Sequence, residues 1–501
     1  MDILISSFLD VFSPISFLLL LGGIGIGIIF GSIPGLTATM GVALLLPVTF
    51  GLGPVAGILL LVGVYVGGIS GGLVAATLLG IPGTPSSIAT TFDAYPMSKN
   101  GEPVRAMGIG IVASLIGGIF SFIILITISP FIARIAVKMG PSEYVALIFL
   151  ALTLIAVLSS GNMIKGITSG IIGMSLALIG FAPIDGTARY TFGQLQLTAG
   201  IDLLPLIMGL FAITQIHMEI QKGEISKEIN LKVKGFAVSI KELLNNTINL
   251  LRSSSIGVAL GMLPGMGSGA SNLIAYAQAK QASKNPEKFG KGAPEGIYAS
   301  ESANNASVGG ALVPMMTLGI PGDSVTAILL GGFMIHGIQP GPLLFTNNAG
   351  IVNVVFIGFF LSIIIVFILQ FLGMRLFPKI LTIPQHFLYP ILLTMTVVGA
   401  FAMNHRIFDV WIMLIFGVVG FILIKNNYPI APLILGFVLG PMFEIYLRRA
   451  FMAASNPIEI LYSPVAVILI TAAIVILIVT TVREVKDVRK KRKTTPPNIN
   501  I

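Results

Sequence analysis

Long apolar runs in this chain are cut by Gly-Pro pairs, and the cuts occur twice in the same order. Gly31-Ser-Ile-Pro-Gly35 returns as Gly261-Met-Leu-Pro-Gly265, and Gly80-Ile-Pro-Gly83 returns as Gly319-Ile-Pro-Gly322. The order continues with Pro141 and Pro384, Asn162 and Asn404, and Pro183 and Pro429. It ends with Pro205-Leu-Ile-Met-Gly209 against Pro432-Leu-Ile-Leu-Gly436. Separations stay between 227 (205 to 432) and 246 (183 to 429), so the halves align with modest insertions. A duplicated hydrophobic chain interrupted at matching places has the pattern of a secondary transporter.

Composition narrows the medium. Hydrophobic residues make up 55% of the chain and charged residues 10%, with a mean hydropathy of +0.97. A soluble domain carries roughly a quarter charged residues, so the expected class is an all-α polytopic membrane protein. Stretches such as Ala106–Ser129, Ile351–Met374 and Pro464–Val482 approach the ~20 apolar residues that cross a bilayer as a helix. Runs of that length are helical spans, since barrel strands are shorter and alternate. No cysteine is present, which excludes disulfides and thiolate metal sites. Residues 1–14 contain Asp2 and Asp10 but no Lys or Arg, so no removable signal peptide is expected.

The net charge of +9 is concentrated beside spans. Residues 483–493 hold Arg483, Lys486, Arg489, Lys490, Lys491, Arg492 and Lys493. Residues 218–252 hold Lys222, Lys227, Lys232, Lys234, Lys241 and Arg252. Positive charge next to spans marks the cytoplasmic side, which argues against nucleic acid as the partner. The expected organisation is membrane repeat one over 1–217, a cytoplasmic linker over 218–252 and membrane repeat two over 253–449. An extra span over 450–482 and a basic cytoplasmic tail over 483–501 follow. If each repeat crosses an odd number of times, the repeats are inverted and the extra span returns the tail to the linker's side. Parallel repeats would place the seven-cation tail outside. Arg448 and Arg449 then fall on the outer side, a smaller violation of the charge rule. Within the linker, residues 236–251 space their apolar side chains at three and four. This fits a helix lying in the membrane interface or one packing on the protein's own face.

A helix cannot continue through Gly80-Ile-Pro-Gly-Thr-Pro-Ser-Ser87, because proline lacks the N–H and clashes with the preceding turn. At membrane depth such backbone survives where protein buries it or where it lines a watery cavity. Discontinuous helices or re-entrant hairpins are therefore expected to meet near the midplane. Their N-termini attract carboxylates without a buried lysine. Their unwound carbonyls and side-chain oxygens suit a small hard cation such as Na⁺. The substrate-binding candidates are Gly83, Thr84, Pro85, Ser86, Ser87, Gly322, Asp323 and Ser324. The cation-binding candidates are Pro34, Gly35, Pro264, Gly265, Ser268, Ser271, Asn272, Asn304 and Asn305. The bland reading is that Gly and Pro merely kink helices or permit close packing; matching breaks in both halves favour a site.

Ionisable groups sharpen this. Asp323 follows the second break and is read as a cation ligand or hairpin-tip cap, with a plain helix N-cap as the alternative. Glu301 is expected in a solvated loop, with a place near the cavity as the alternative. Asp93, Lys99, Glu102 and Arg105 are expected to form a polar loop, where Arg105 can contact an anion. Asp185, Arg189, Asp202 and Asp409 read as surface or span-end charges. The four histidines lack ligand spacing, so no resident metal beyond Na⁺ is expected. Gly290-Lys291 is followed by Gly292 rather than Ser or Thr, so no Walker loop exists. Gly265-Met-Gly-Ser-Gly-Ala270 matches a degenerate dinucleotide pattern without the βαβ unit it requires. Ser268 has no His base at motif spacing. No enzyme and no organic cofactor are expected.

The stretches Gly31–Leu36, Gly80–Pro96, Leu263–Ala270 and Gly319–Ser324 resemble the TctA-type large membrane subunit of the tripartite tricarboxylate transporter family, and the resemblance covers nearly the whole chain. It implies a prokaryotic inner-membrane permease driven by a cation gradient, Na⁺ being the expected ion. It further implies a small TctB-type membrane subunit and a periplasmic TctC-type binding protein that delivers a di- or tricarboxylate such as citrate. An elevator-like movement of the hairpin-bearing domain is implied as well. A passive channel for small organic anions is the competing function, and an intramembrane enzyme is a third reading.

Overall fold

The structure is a computed structural model describing residues 2–158, 163–222, 238–374, 376–381, 385–454, 456 and 463–494. Asn162, Pro384, residues 223–237 of the expected linker and residues 495–501 of the tail lie outside this set. The described chain is helical apart from a two-residue antiparallel ladder pairing Gly180–Phe181 with Ala188–Arg189.

In order, the first half holds α1 (Asp2–Val11), α2 (Pro14–Ser32), α3 (Ala38–Thr49), α4 (Pro54–Leu78), α5 (Ile88–Lys99) and α6 (Pro103–Ala136). It continues with α7 (Pro141–Leu158), α8 (Met163–Ala177), α9 (Leu203–Ile207) and α10 (Thr214–Lys222). The second half holds α11 (Ile240–Asn245), α12 (Thr247–Met262), α13 (Gly267–Ala282), α14 (Pro294–Leu318), α15 (Ser324–Ile335) and α16 (Leu344–Asn347). Then come α17 (Ala349–Gly373), α18 (Phe377–Ile380), α19 (Gln385–Asn404), α20 (Ile407–Lys425), α21 (Ile430–Ala453) and α22 (Pro464–Thr494). Among the described residues eight helical stretches are long and apolar enough to cross a bilayer: 14–32, 54–78, 103–136, 203–221, 349–373, 407–425, 430–453 and 464–482. The expected all-α polytopic class is what the chain adopts.

Two compact units divide the chain. Residues 1–138 and 202–422 form the first, whose centre is the close packing of α2 on α4 and of α12 on α14. Small residues make those contacts possible. A Cβ on Gly31 would stand 2.2 Å from the carbonyl oxygen of Gly68, and one on Gly261 would stand 2.4 Å from that of Ser307. α4 is buried from Ala56 to its end, as is α14 from Gly296 to Thr317. α14 is nonetheless polar, with Ser300, Glu301, Ser302, Asn304, Asn305 and Ser307 all buried.

Residues 139–201 and 423–501 form the second unit, where α7 and α8 pack on α21, and α22 on α7. Ion pairs hold one end of it: Arg189 Nη1 lies 2.7 Å from Glu444, and Arg448 Nη1 lies 2.7 Å from Asp185. Arg448, followed by hydrogen bonds from Thr187, keeps the Asp185 carboxyl well below the usual carboxylate range.

Three sequence expectations are corrected. The helix expected over 236–251 is two helices, because Asn246 ends α11 and its side-chain amide donates to Glu242 O at 3.0 Å. Leu243 packs on the cluster of Ala94, Met97 and Ala106, and Glu242 pairs with Arg105 at 3.2 Å, so α11 sits on the protein's own face. Ile240 and Leu244 remain exposed. Second, Asp93 is no loop residue: it is buried within α5, and its Oδ1 accepts from the backbone N–H groups of Gly290, Gly292 and Ala293 at 2.8–2.9 Å. Arg105 is engaged by Glu102 and Glu242 rather than by an anion. Third, Glu301 is wholly buried in α14 instead of lying in a solvated loop.

Candidate functional site

Four helices begin at one place. α3 starts behind Thr37, the 3₁₀ turn Pro85–Ser87 leading into α5 starts behind Thr84, α13 starts at Gly267, and α15 starts behind Asp323. The first residues of all four line one cavity of about 140 Å³, closed by Ile69 of α4. Each helix starts there because the preceding break forbids continuation. Gly80 and Gly319 open two breaks at φ of 68° and 70°, and Gly35 and Gly265 stand in the other two at 92° and 81°. Side chains rarely adopt that left-handed region, and the proline beside each glycine removes a donor.

Local hydrogen bonding repeats between the halves. Thr84 N–H donates to Ser87 Oγ at 3.3 Å, and Asp323 N–H donates to Thr326 Oγ1 at 2.9 Å. Asp323 Oδ1 in return accepts from Thr326 N–H at 2.8 Å, which makes Asp323 the N-cap of α15. Its Oδ2 accepts from Tyr65 Oη at 2.6 Å. The breaks are also tied to one another. Gly265 N–H donates to Gly322 O at 2.9 Å, and Asn272 Nδ2 donates to Ser86 O across the repeats.

Among the described residues no Lys or Arg lines the cavity, and Asp323 is the one carboxylate that does. Positive potential there comes from peptide dipoles. Each helix N-terminus carries about +0.5 elementary charge, so four bring about +2, partly offset by Asp323. Free backbone N–H groups of first turns are the donors an anionic oxygen needs. Acceptors for a cation are present beside them. Asn272 Oδ1 and Asn304 Oδ1 are buried and have no hydrogen-bond partner among the described residues.

Of the expected residues, Thr84, Pro85, Ser86, Gly265, Ser268, Asp323 and Ser324 line the cavity. The others stand behind it. Gly83 and Gly322 pack on the carbonyls of Gly31 and Gly261. Ser87 turns back onto Thr84 O at 3.0 Å, and Ser271 donates to Ser268 O at 3.0 Å. Gly35 O accepts from Gln215 Nε2 at 2.9 Å, so Pro34 and Gly35 face α10. Pro264 is in the break but not at the cavity wall. Asn304 Nδ2 reaches Ile69 O at 3.5 Å, while Asn305 belongs to a separate buried network. Thr37, Thr39, Met266, Gly267 and Tyr65 were not anticipated. Tyr65 is the repeat mate of the expected Asn304 at the offset of the second break, so for it the repeat offset was a usable signal. No group of three His, Cys, Asp or Glu is positioned for a metal among the described residues.

Fold and site together define a polytopic α-helical membrane protein whose polar cavity is built from interrupted helices. The chain belongs to the Tripartite tricarboxylate transporter TctA family, which matches residues 17–435. Membership makes it a permease subunit of that transporter class. It is 33% identical over 480 residues to an uncharacterized 52.8 kDa protein of Agrobacterium vitis from the TAR-I ttuC′ 3′ region, covering 95% of each chain. It is 35% identical over 234 residues to a second Agrobacterium vitis protein, from the TAR-II ttuC′ 3′ region, covering 46% of this chain and 97% of the relative. No solved structure matches.

Proposed function

We propose that this permease subunit imports di- and tricarboxylates of the citrate kind by cation-coupled secondary transport, with Na⁺ as the coupling ion. The observation that carries the reading is the meeting of four helix N-termini around a cavity without Lys or Arg. A multivalent carboxylate entering it meets dipoles and N–H groups, but also the Asp323 charge. A co-bound Na⁺ at Asn272 Oδ1, Asn304 Oδ1 and the break carbonyls offsets that charge, so ion and anion bind together or weakly apart.

The halves are inverted repeats in this reading, supported by matching breaks, matching caps and the unpaired final span. Transport proceeds by an elevator-like movement of the break-bearing unit. The chain sits in a prokaryotic inner membrane with the linker and basic tail cytoplasmic. It works with a small TctB-type membrane subunit and a periplasmic TctC-type binding protein that presents the substrate. Citrate uptake into proteoliposomes, with and without that binding protein and an inward Na⁺ gradient, tests this. Accumulation is expected only with both. Equilibration without accumulation identifies a passive facilitator, and full uptake without Na⁺ refutes sodium coupling.

A further inference from the structure

A second polar centre lies in the first unit, apart from the cavity and unused by it. Glu301, wholly buried in α14, receives Thr90 Oγ1 of α5 at 2.5 Å on Oε1 and Ser114 Oγ of α6 at 3.2 Å on Oε2. Ser114 Oγ in turn accepts from Asn305 Nδ2 at 2.8 Å, and Asn305 Oδ1 accepts from Ser70 Oγ of α4 at 2.5 Å. Gln370 of α17 closes the network, its Nε2 donating to Ser70 O at 2.8 Å. These groups come from five helices.

Two things in this network lack compensation. The carboxylate of Glu301 makes no ion pair with any described cationic side chain; its contacts are neutral hydroxyls and the Asn304 amide. A buried charge without a partner costs several kcal/mol, so something positive is required there. Gln370 Oε1, on a side chain 1% exposed, has no hydrogen-bond partner among the described residues. Ser70, Ser114, Asn305 and Gln370 form the polar side of a void of about 10 Å³, room for one water-sized particle, whose remaining wall is six apolar side chains of α4, α6 and α17.

We propose that this void is a Na⁺ site, ligated by oxygens of Gln370, Ser70, Ser114 and Asn305 and neutralised by Glu301 one hydroxyl away. A water in the void would satisfy Gln370 Oε1 and leave the carboxylate uncompensated. A proton on Glu301 would do the reverse. One small monovalent cation answers both at once; a water together with a proton on Glu301 is the competing arrangement, and it gives a stability that follows pH and ignores Na⁺. Four neutral oxygens with a single carboxylate one hydroxyl behind them suit a hard ion of charge one; a divalent ion would be left half neutralised. Asn305, expected among the ion ligands of the breaks, serves here instead.

The site deepens the cation coupling proposed above and rests on that reading only for its role in transport. Its route to the cavity is short. Ser70 follows Ile69, which lines the cavity, and Asn305 follows Asn304, whose amide reaches Ile69 O. Thr90 stands one turn into the helix that begins at the Thr84 break.

The test is made on the purified full chain without substrate. Its melting temperature is measured in NaCl against KCl and choline chloride at equal ionic strength, with ²²Na⁺ binding alongside. A saturable, Na⁺-selective rise is expected, and Glu301→Gln and Gln370→Leu each lose it while Thr127→Ala, on the exposed face of α6, keeps it. Ser114→Ala serves if either variant fails to fold. A Na⁺ shift retained in Glu301→Gln and Gln370→Leu overturns the site. So does a stability that follows pH through Glu301 and ignores Na⁺. Loss of the site with Na⁺-driven citrate uptake intact leaves the transport reading standing; the opposite pair of results does the reverse.

Discussion

At the scale of single residues, Asp323 does two jobs that substitution separates. It caps α15 through Oδ1, and it places a charge in the cavity. Asparagine caps a helix as well as aspartate does, so Asp323→Asn is expected to keep the melting temperature and lose the Na⁺ dependence of citrate binding. Asp323→Ala removes the cap, worth about 1 kcal/mol. It also leaves the buried Tyr65 hydroxyl unpaired, a further ~1–3 kcal/mol. Thermal unfolding and citrate binding, read on both variants, tell the roles apart; equal loss of stability in both would show the charge itself to be structural. Gly83→Ala makes a different point. Its Cβ would stand 2.2 Å from Gly31 O, backbone that cannot yield. Destabilisation of about 1–3 kcal/mol is expected, with no comparable effect from Gly269→Ala, whose Cβ meets Pro85 at an ordinary 3.7 Å.

Between elements, the loop joining α13 to α14 is held by one carboxylate from α5. Gly290, Lys291 and Gly292 have the look of a phosphate cradle, and their neighbourhood does cradle an anion, which is Asp93 of the same chain. Asp93→Ala takes the acceptor from three N–H groups and is expected to free the loop. Trypsin then cuts at Lys284, Lys288 or Lys291 under conditions where the parent chain is intact, and an unchanged digestion pattern counts against the latch. In the second unit, Asp185 draws its low protonation tendency from Arg448 first. A carboxyl depressed in the folded state contributes above its unfolded value near ~4, and the contribution fades as pH falls through and below that value. Arg448→Gln is therefore expected to narrow the gap between melting curves at pH 7 and pH 3 and to change nothing between pH 6 and 8. These element-level contacts were illegible in the chain. Hydropathy reads Asp93 and Glu301 as loop residues because it cannot see neutral or backbone donors arriving from 200 residues away. The breaks were legible, since Gly-Pro chemistry is local, and so were the seven cavity-lining residues that sit in them.

For the whole molecule, the duplicated pattern named the four helix starts, and charge asymmetry sets the expectation for the side of the membrane each end occupies. Arg105 and Glu242 place the start of α6 beside the linker. α6 is one long helix, and residues 137–140 join it to α7. Ser463 Oγ donates to Glu143 at 2.6 Å, which sets the start of α22 beside the start of α7. In the inverted-repeat reading the cationic tail is expected on the linker's face, as charge asymmetry favours. The hairpin carrying Asp185 and the end of α21 carrying Arg448 share one end of the second unit, so Arg448 and its carboxylate partners lie together. A chain without native cysteine makes the path directly measurable. Single cysteines at Lys241 and Lys493 are expected to react with an impermeant maleimide only after the cytoplasmic face is opened, and one at Thr187 from the periplasmic side. Labelling of Lys493→Cys from the periplasm would make the repeats parallel. The inverted-repeat reading would then have to be abandoned.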